Sequence, residues 1–161
     1  MADRLERLER ELMLLARCHV MTPRERRSDR PYQLERSAYV LLSRLDAEGP
    51  MSIGRLAEAF QLDVSTVNRQ TAGLLRLGLL ERIPDPDGGL ARKLRMTEVG
   101  AKRLAADRTL RRDGLGRILA DWTPDELADF EAALTRFNRV VEEYEGRDWP
   151  RRNTEPPPPG D

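Results

Sequence analysis

The run from Leu62 to Leu80, LDVSTVNRQTAGLLRLGLL, constrains this chain more than any other stretch. Wound as a helix of about 3.6 residues per turn, it places Val64, Val67, Thr71, Leu74, Leu75 and Gly78 on one side. Ser65, Thr66, Arg69, Gly73 and Arg76 fall on the other, with Asn68 on the flank. The outward set is short hydroxyls near the N-terminus, an amide, guanidinium groups and no acid. A helix lying in a DNA major groove needs that chemistry: hydroxyls and the helix N-terminus bond phosphate oxygens, Arg pairs with guanine O6 and N7, and Asn pairs with adenine N6 and N7. An amphipathic helix that merely faces water carries the same pattern, so the flanking segments decide between the two.

Upstream, Ser52 to Phe60 repeats Ile53, Leu56, Ala57 and Phe60 at helical spacing behind Ser52 as N-cap, and only Gln61-Leu62-Asp63 separates it from the next helix. Two helices joined this closely make a helix-turn-helix, and Ala57 is the small residue that lets their axes approach. Gln61 stands where such turns often have Gly, so it is expected to take a left-handed backbone at a cost of about 1 kcal/mol. Downstream, Leu79 to Ile83 and Leu90 to Met96 flank Pro84-Asp85-Pro86-Asp87-Gly88-Gly89, a dense cluster of turn formers. This is a hairpin, or wing, with Arg92, Lys93 and Arg95 on its return strand, able to bring cations to a phosphate backbone or a minor groove.

In STVNRQ, GLLER, the PDPD turn and the closing R-M-T-E-x-G, the chain resembles the MarR family of winged-helix transcription regulators from roughly Leu34 to Tyr144. The resemblance implies a homodimer on double-stranded DNA, with Ser65, Thr66, Asn68, Arg69 and Arg76 on the reading helix and Arg92 and Lys93 on the wing as DNA-binding residues. One departure matters. The family usually carries an Arg at the wing tip two residues after an Asp, and counted from Asp87 that place is Gly89, with Leu90 beside it. Arg92 matches a basic family position, so phosphate contacts are expected from Arg92 and Lys93 rather than an Arg inserted in the minor groove.

The rest of the chain is read as support for these helices. Leu5, Leu8, Leu12 and Leu15 form a narrow apolar seam, with His19 next in the series, sized for another helix rather than a broad core. Thr22 to Pro31 reads as a loop whose Arg24, Arg26, Arg27 and Arg30 form a solvated charge run. Leu34 to Glu48 is a bracing helix with Leu34, Ala38, Leu41, Leu42 and Leu45 inward, ended by Gly49-Pro50. Thr97 caps a long helix to about Asp121 that is expected to bend near Gly114 and Gly116. Thr123-Pro124-Asp125-Glu126 is a capping box, followed by a second seam of Leu127, Phe130, Leu134, Phe137, Val141 and Tyr144.

The expected organisation is therefore mainly α with a small β-hairpin wing. Residues 1–22 form an N-terminal dimerisation helix, 32–97 a winged helix-turn-helix DNA-binding core, 98–146 C-terminal dimerisation helices, and 147–161 a disordered tail rich in Pro. The two seams either close a bundle within one chain or join two copies. The dimer is preferred, because one reading helix covers about half a palindrome.

Composition narrows the function classes. With 161 residues, 39% hydrophobic and 35% charged, the chain suits one domain with a core and is too charged for a membrane protein. No apolar run approaches the roughly 18 residues of a spanning helix, and the start is unlike a signal peptide, so a cytoplasmic address with no membrane partner is expected. The 28 basic and 28 acidic residues cancel, which excludes a nonspecific nucleic-acid binder held by bulk charge. Binding then depends on the placement of a few cations, nearly all of them Arg. No Cys/His metal spacing, phosphate-binding Gly loop or nucleophile motif is present, so no cofactor, metal or enzyme activity is expected.

Two residues invite a sensing role. Cys18 is the single Cys, and one branch of the resembled family detects organic hydroperoxides through a lone Cys on the first helix, hydrogen-bonded by tyrosines; Tyr32 and Tyr39 are available here. Against this, Cys18 lies among Leu14, Leu15 and Met21, where a small apolar residue is the commoner role. His19 is the other candidate, for an anionic effector between the first and second helices, although a histidine packed or hydrogen-bonded at the dimer seam is the commoner role; Tyr39 is kept with Cys18 and His19 as an effector or redox candidate. The leading expectation is a homodimeric repressor of an inverted-repeat operator, released by an effector. The rivals are a winged-helix protein-interaction module without DNA binding and a peroxide sensor through Cys18.

Overall fold

The computed structural model describes residues 1–17 and 34–151. Cys18, His19, the Arg-rich stretch to Pro31, Tyr32 and the prolines at 156–159 lie outside the described residues. The elements run α1 (Ala2–Arg17), α2 (Arg36–Glu48), β1 (Met51–Ser52), α3 (Ile53–Phe60), α4 (Val64–Arg76), β2 (Leu80–Ile83), β3 (Lys93–Met96), α5 (Glu98–Ile118) and α6 (Pro124–Glu145). The fold is mainly α with a small antiparallel sheet, as expected.

Local chemistry sets most boundaries. Ser52 caps α3 by accepting from the Arg55 N–H, Thr97 caps α5 by accepting from Gly100, and Thr123 with Glu126 forms a complete capping box on α6. Gln61 ends α3 in the left-handed region at φ 49°, and the Leu62 N–H reaches back to the Ala57 carbonyl at 3.0 Å. Gly78, at φ 67°, closes α4 in the same way, with the Leu79 N–H on the Leu74 carbonyl at 2.9 Å. That turn sends the chain directly into β2.

One core joins these elements. Leu41, Leu42 and Leu45 of α2, Leu56 and Ala57 of α3, Val67 and Leu74 of α4, Leu80, Leu94 and Met51 of the sheet and Leu104 of α5 are all buried. Each large apolar side chain removed from water in this way contributes about 1.5–3 kcal/mol. Leu34 is buried too, although it precedes α2 rather than belonging to it. Thr71, fully buried on α4, satisfies its hydroxyl on the Val67 and Asn68 carbonyls.

Four expectations are corrected. The wing hairpin β2–β3 has the register Leu80 opposite Met96 and Ile83 opposite Lys93, and it gains a third strand, because Met51 pairs with Leu94 across β3. The reading helix spans Val64–Arg76 rather than reaching Leu80, so Val64 at its first turn and Gly78 beyond its end are exposed instead of inward. The helix after the wing ends at Ile118 rather than near Asp121. The segment expected to begin the loose tail is folded back: Arg151 pairs with Glu142, and Trp149 lies against Phe60.

The terminal helices differ from the core. Every described side chain of α1 is exposed, and α6 has no buried residue. Among the described residues the two seams therefore do not close a bundle within one chain. No helix there is long and apolar enough to cross a membrane.

Candidate nucleic-acid interface

Val67, Thr71 and Leu74 root α4 in the core, and this fixes which face looks outward. Ser65, Asn68, Arg69 and Arg76 are exposed on that face, and Thr66 is half-buried. Arg69 Nη2 donates to Thr66 Oγ1 at 3.3 Å, which holds the guanidinium over the first turns of the helix. Arg76 pairs with no other described residue. No acid occurs from Val64 to Arg76. Sequence reasoning missed Val64: it is 52% exposed at the helix N-terminus, where an apolar side chain suits a thymine methyl. Its inward assignment assumed that the core reaches the first turn.

The wing is built differently from expectation. Lys93 Nζ lies 2.6 Å from Asp85 Oδ1 and 2.7 Å from Asp87 Oδ2, and its side chain is largely covered. The lysine is spent on the turn, so the expected Lys93 phosphate contact is withdrawn. The hydrogen bond from Lys93, then that from the Asp87 N–H, holds the Asp85 carboxyl below the ordinary carboxylate range. The same two aspartates raise the Lys93 ammonium above its ordinary range. A Cβ at Gly89 would lie 2.3 Å from Asp85 Oδ2, so a side chain there would push aside the carboxylate that Lys93 holds. Leu90 is fully exposed beside it, and Arg92 is exposed without a described partner. Arg95 pairs across the hairpin with Glu81 at 2.9 Å.

Tyr39 stands apart from the reading face. It walls a cavity of about 500 Å³ between α2 and α5, with Ala105, Arg108, Thr109, Arg111, Arg112 and Leu115. The Arg111 guanidinium lies 3.9 Å from the Tyr39 ring centroid, its Nε donates to Asp107 Oδ2 at 2.7 Å, and its Nη2 is buried without a hydrogen-bond partner among the described residues. Asp107 is itself buried and accepts the Leu34 N–H at 3.2 Å. The available signal was Arg at 108, 111 and 112, which share one helical face. Among the described residues no group of His, Cys, Asp and Glu could hold a metal.

Two helices meeting at the Gln61 turn, with a three-stranded wing behind the second, define a winged helix-turn-helix. The MarR family model matches residues 34–88. YxaD, an HTH-type transcriptional regulator of Bacillus subtilis (strain 168), is 38% identical over 107 residues, 66% of this chain and 75% of that protein. A MarR family protein from Bacillus stearothermophilus shares the fold with a TM-score of 0.74 at 23% identity, over 88% of this chain and 97% of that one. The PcaV transcriptional regulator from Streptomyces coelicolor, solved in complex with its natural ligand, matches at 27% identity and a TM-score of 0.52, over 68% and 78%. The chain belongs to the MarR family: it is a winged-helix transcriptional regulator and not an enzyme.

Proposed function

We propose that the chain acts as a homodimeric repressor that binds an inverted-repeat operator in double-stranded DNA. The observation that carries this reading is the outer face of α4, where Ser65, Asn68 and Arg69 are exposed on an acid-free helix whose opposite face is rooted in the core. Ser65, Thr66, Asn68 and Arg69 lie in the major groove, and Arg76 and Arg92 hold phosphate or the groove edge. The exposed seams of α1 and α6 supply the dimer, which sets the two reading helices about one DNA turn apart, roughly 34–36 Å.

An effector acts from the cavity beside Tyr39. Its aromatic wall, apolar Leu115 and Ala105, and three arginines, of which Arg112 is exposed, fit a small anionic aromatic molecule.

The test is an anisotropy titration of the purified protein against DNA from upstream of its own gene, at two salt concentrations, beside a scrambled duplex. Tight, salt-sensitive and sequence-selective binding by a dimer is expected. Equal weak binding to both duplexes would instead favour the protein-interaction module.

A further inference from the structure

The C-terminal end of α6 does not simply stop. Gly146 takes φ 63°, the Arg147 N–H bonds the Glu142 carbonyl at 2.9 Å, and the chain reverses. Arg151 then closes the reversal, with both Nη atoms 2.7 Å from the Glu142 carboxylate oxygens. The loop so formed is a strap laid on the reading head. Its Trp149 ring lies 6.3 Å from the Phe60 ring, centroid to centroid, and Phe60 is the last residue of α3, directly before the Gln61 turn.

Arg44 of α2 grips the strap twice. Its guanidinium lies 5.3 Å from the Trp149 ring centroid, and its Nη1 donates to the Asp148 carbonyl at 3.0 Å. The same guanidinium is aligned by Glu48, with contacts of 2.8 and 2.9 Å. Such two-point holding by a planar cation restricts rotation more than a single contact does. Since α6 buries none of its own residues, the strap is a specific side-chain attachment between that helix and the helix-turn-helix.

We propose that Trp149 is a positioning residue for DNA recognition: the strap Arg147–Arg151 fixes the angle between α6 and the reading head, and thereby sets which half-site spacing the dimer accepts. The inference rests on the dimeric DNA reading above. Its leverage is geometric, because one base pair added between the half-sites moves them about 3.4 Å along the DNA and about 35° around it, a displacement a fixed head cannot follow. A head held at one angle rejects a wrong spacing. A head freed to rock pays little to follow it.

The experiment uses the full chain and a palindromic duplex that the wild-type protein selects from a random pool, with derivatives carrying one base pair added or removed at the centre. Wild-type affinity is expected to fall about tenfold or more on the altered duplexes, the cost of deforming DNA to fit. Trp149→Ala is expected to bind all three within about threefold while remaining dimeric, and Trp149→Phe to recover part of the preference. In a Trp122→Phe background, the Trp149 emission reports seating of the strap and should shift to the red in Arg44→Ala. An unchanged spacing preference in Trp149→Ala, or a loss equal on all three duplexes, would overturn the positioning role alone. Failure of the wild-type chain to select any duplex would overturn the DNA reading and this role with it, while the emission would still report whether the strap is seated.

Discussion

Lys93 Nζ sits 2.6 Å from Asp85 Oδ1, so the wing's only lysine neutralises its own turn rather than a phosphate. Arg92, one residue earlier, is exposed and unpaired among the described residues. Arg92→Ala should reduce the slope of log affinity against log salt by about 0.9 per phosphate contact, hence about 1.8 for a dimer. Lys93→Ala should act without DNA, because Asp85 and Asp87 then repel: limited proteolysis between Pro84 and Arg92 should speed up. Unchanged cleavage in Lys93→Ala would mean that the ion pairs do not hold the turn.

The same cluster has a pH dependence of known sign. Asp85 titrates below its ordinary range when folded, so its contribution is full above the unfolded value and is lost as pH falls through the folded one. Lys93 titrates above its ordinary range, so its contribution is full below the unfolded value and is lost as pH rises through the folded one. The turn is therefore pinned between the carboxylate and lysine ranges and loosens outside them. The Asp87 amide, which donates to Asp85 Oδ1 at 3.0 Å, is the reporter. Its NMR shift should step below the ordinary carboxylate range, and Lys93→Met should move that step upward.

Gly100 is demanded by packing. A Cβ there would lie 2.2 Å from the Leu79 carbonyl oxygen and 2.9 Å from Met96 Cγ, and that carbonyl already accepts the Thr97 N–H at 3.1 Å. Gly100→Ala should lower unfolding free energy by about 1–3 kcal/mol in urea titrations. Gly116, whose Cβ would meet nothing within 4 Å, is the control; Gly116→Ala should stabilise by about 0.5–1 kcal/mol. Equal effects at the two positions would contradict the close approach.

These cases mark what a sequence can disclose. Ser52, Thr97 and Thr123 were legible as caps because capping chemistry acts over three residues, and Gln61 was legible as a strained turn because two helices meet there. Val64 and Gly78 were misplaced because periodicity assigns a side to every residue, whereas burial depends on where the core ends. The partner of Met51 is forty-three residues away at Leu94, so two residues of strand left no local mark. Lys93 showed its charge but not its partners. Trp149 looked like tail because its neighbours are prolines and arginines, and only the fold brings Phe60 and Arg44 to it.

Arg69 is the test of base reading. Its hydrogen bond to Thr66 aims the guanidinium along the exposed face of α4. Arg69→Ala should cost about 1–3 kcal/mol on the selected operator and relax preference at one base pair, read by competition with single-substitution duplexes. A loss equal on every duplex would assign it to phosphate alone.

The proposed dimer makes a direct physical prediction. Phe130, Leu134 and Phe137 on α6 are 43%, 38% and 45% exposed, and Leu5, Leu8 and Leu12 on α1 are more exposed or similar. Seams of this length exposed on two helices are costly in water, and a two-fold interface buries each of them twice. Phe137→Asp removes an apolar contact worth about 1.5–3 kcal/mol in each copy and places two carboxylates in the seam. Sedimentation at micromolar concentration should then report a monomer, with operator affinity falling steeply because each half-site is bound alone. The helical circular dichroism of the winged core should persist, since α6 contributes no buried residue to it. A Phe137→Asp protein that stays dimeric would place the interface on another face of the molecule.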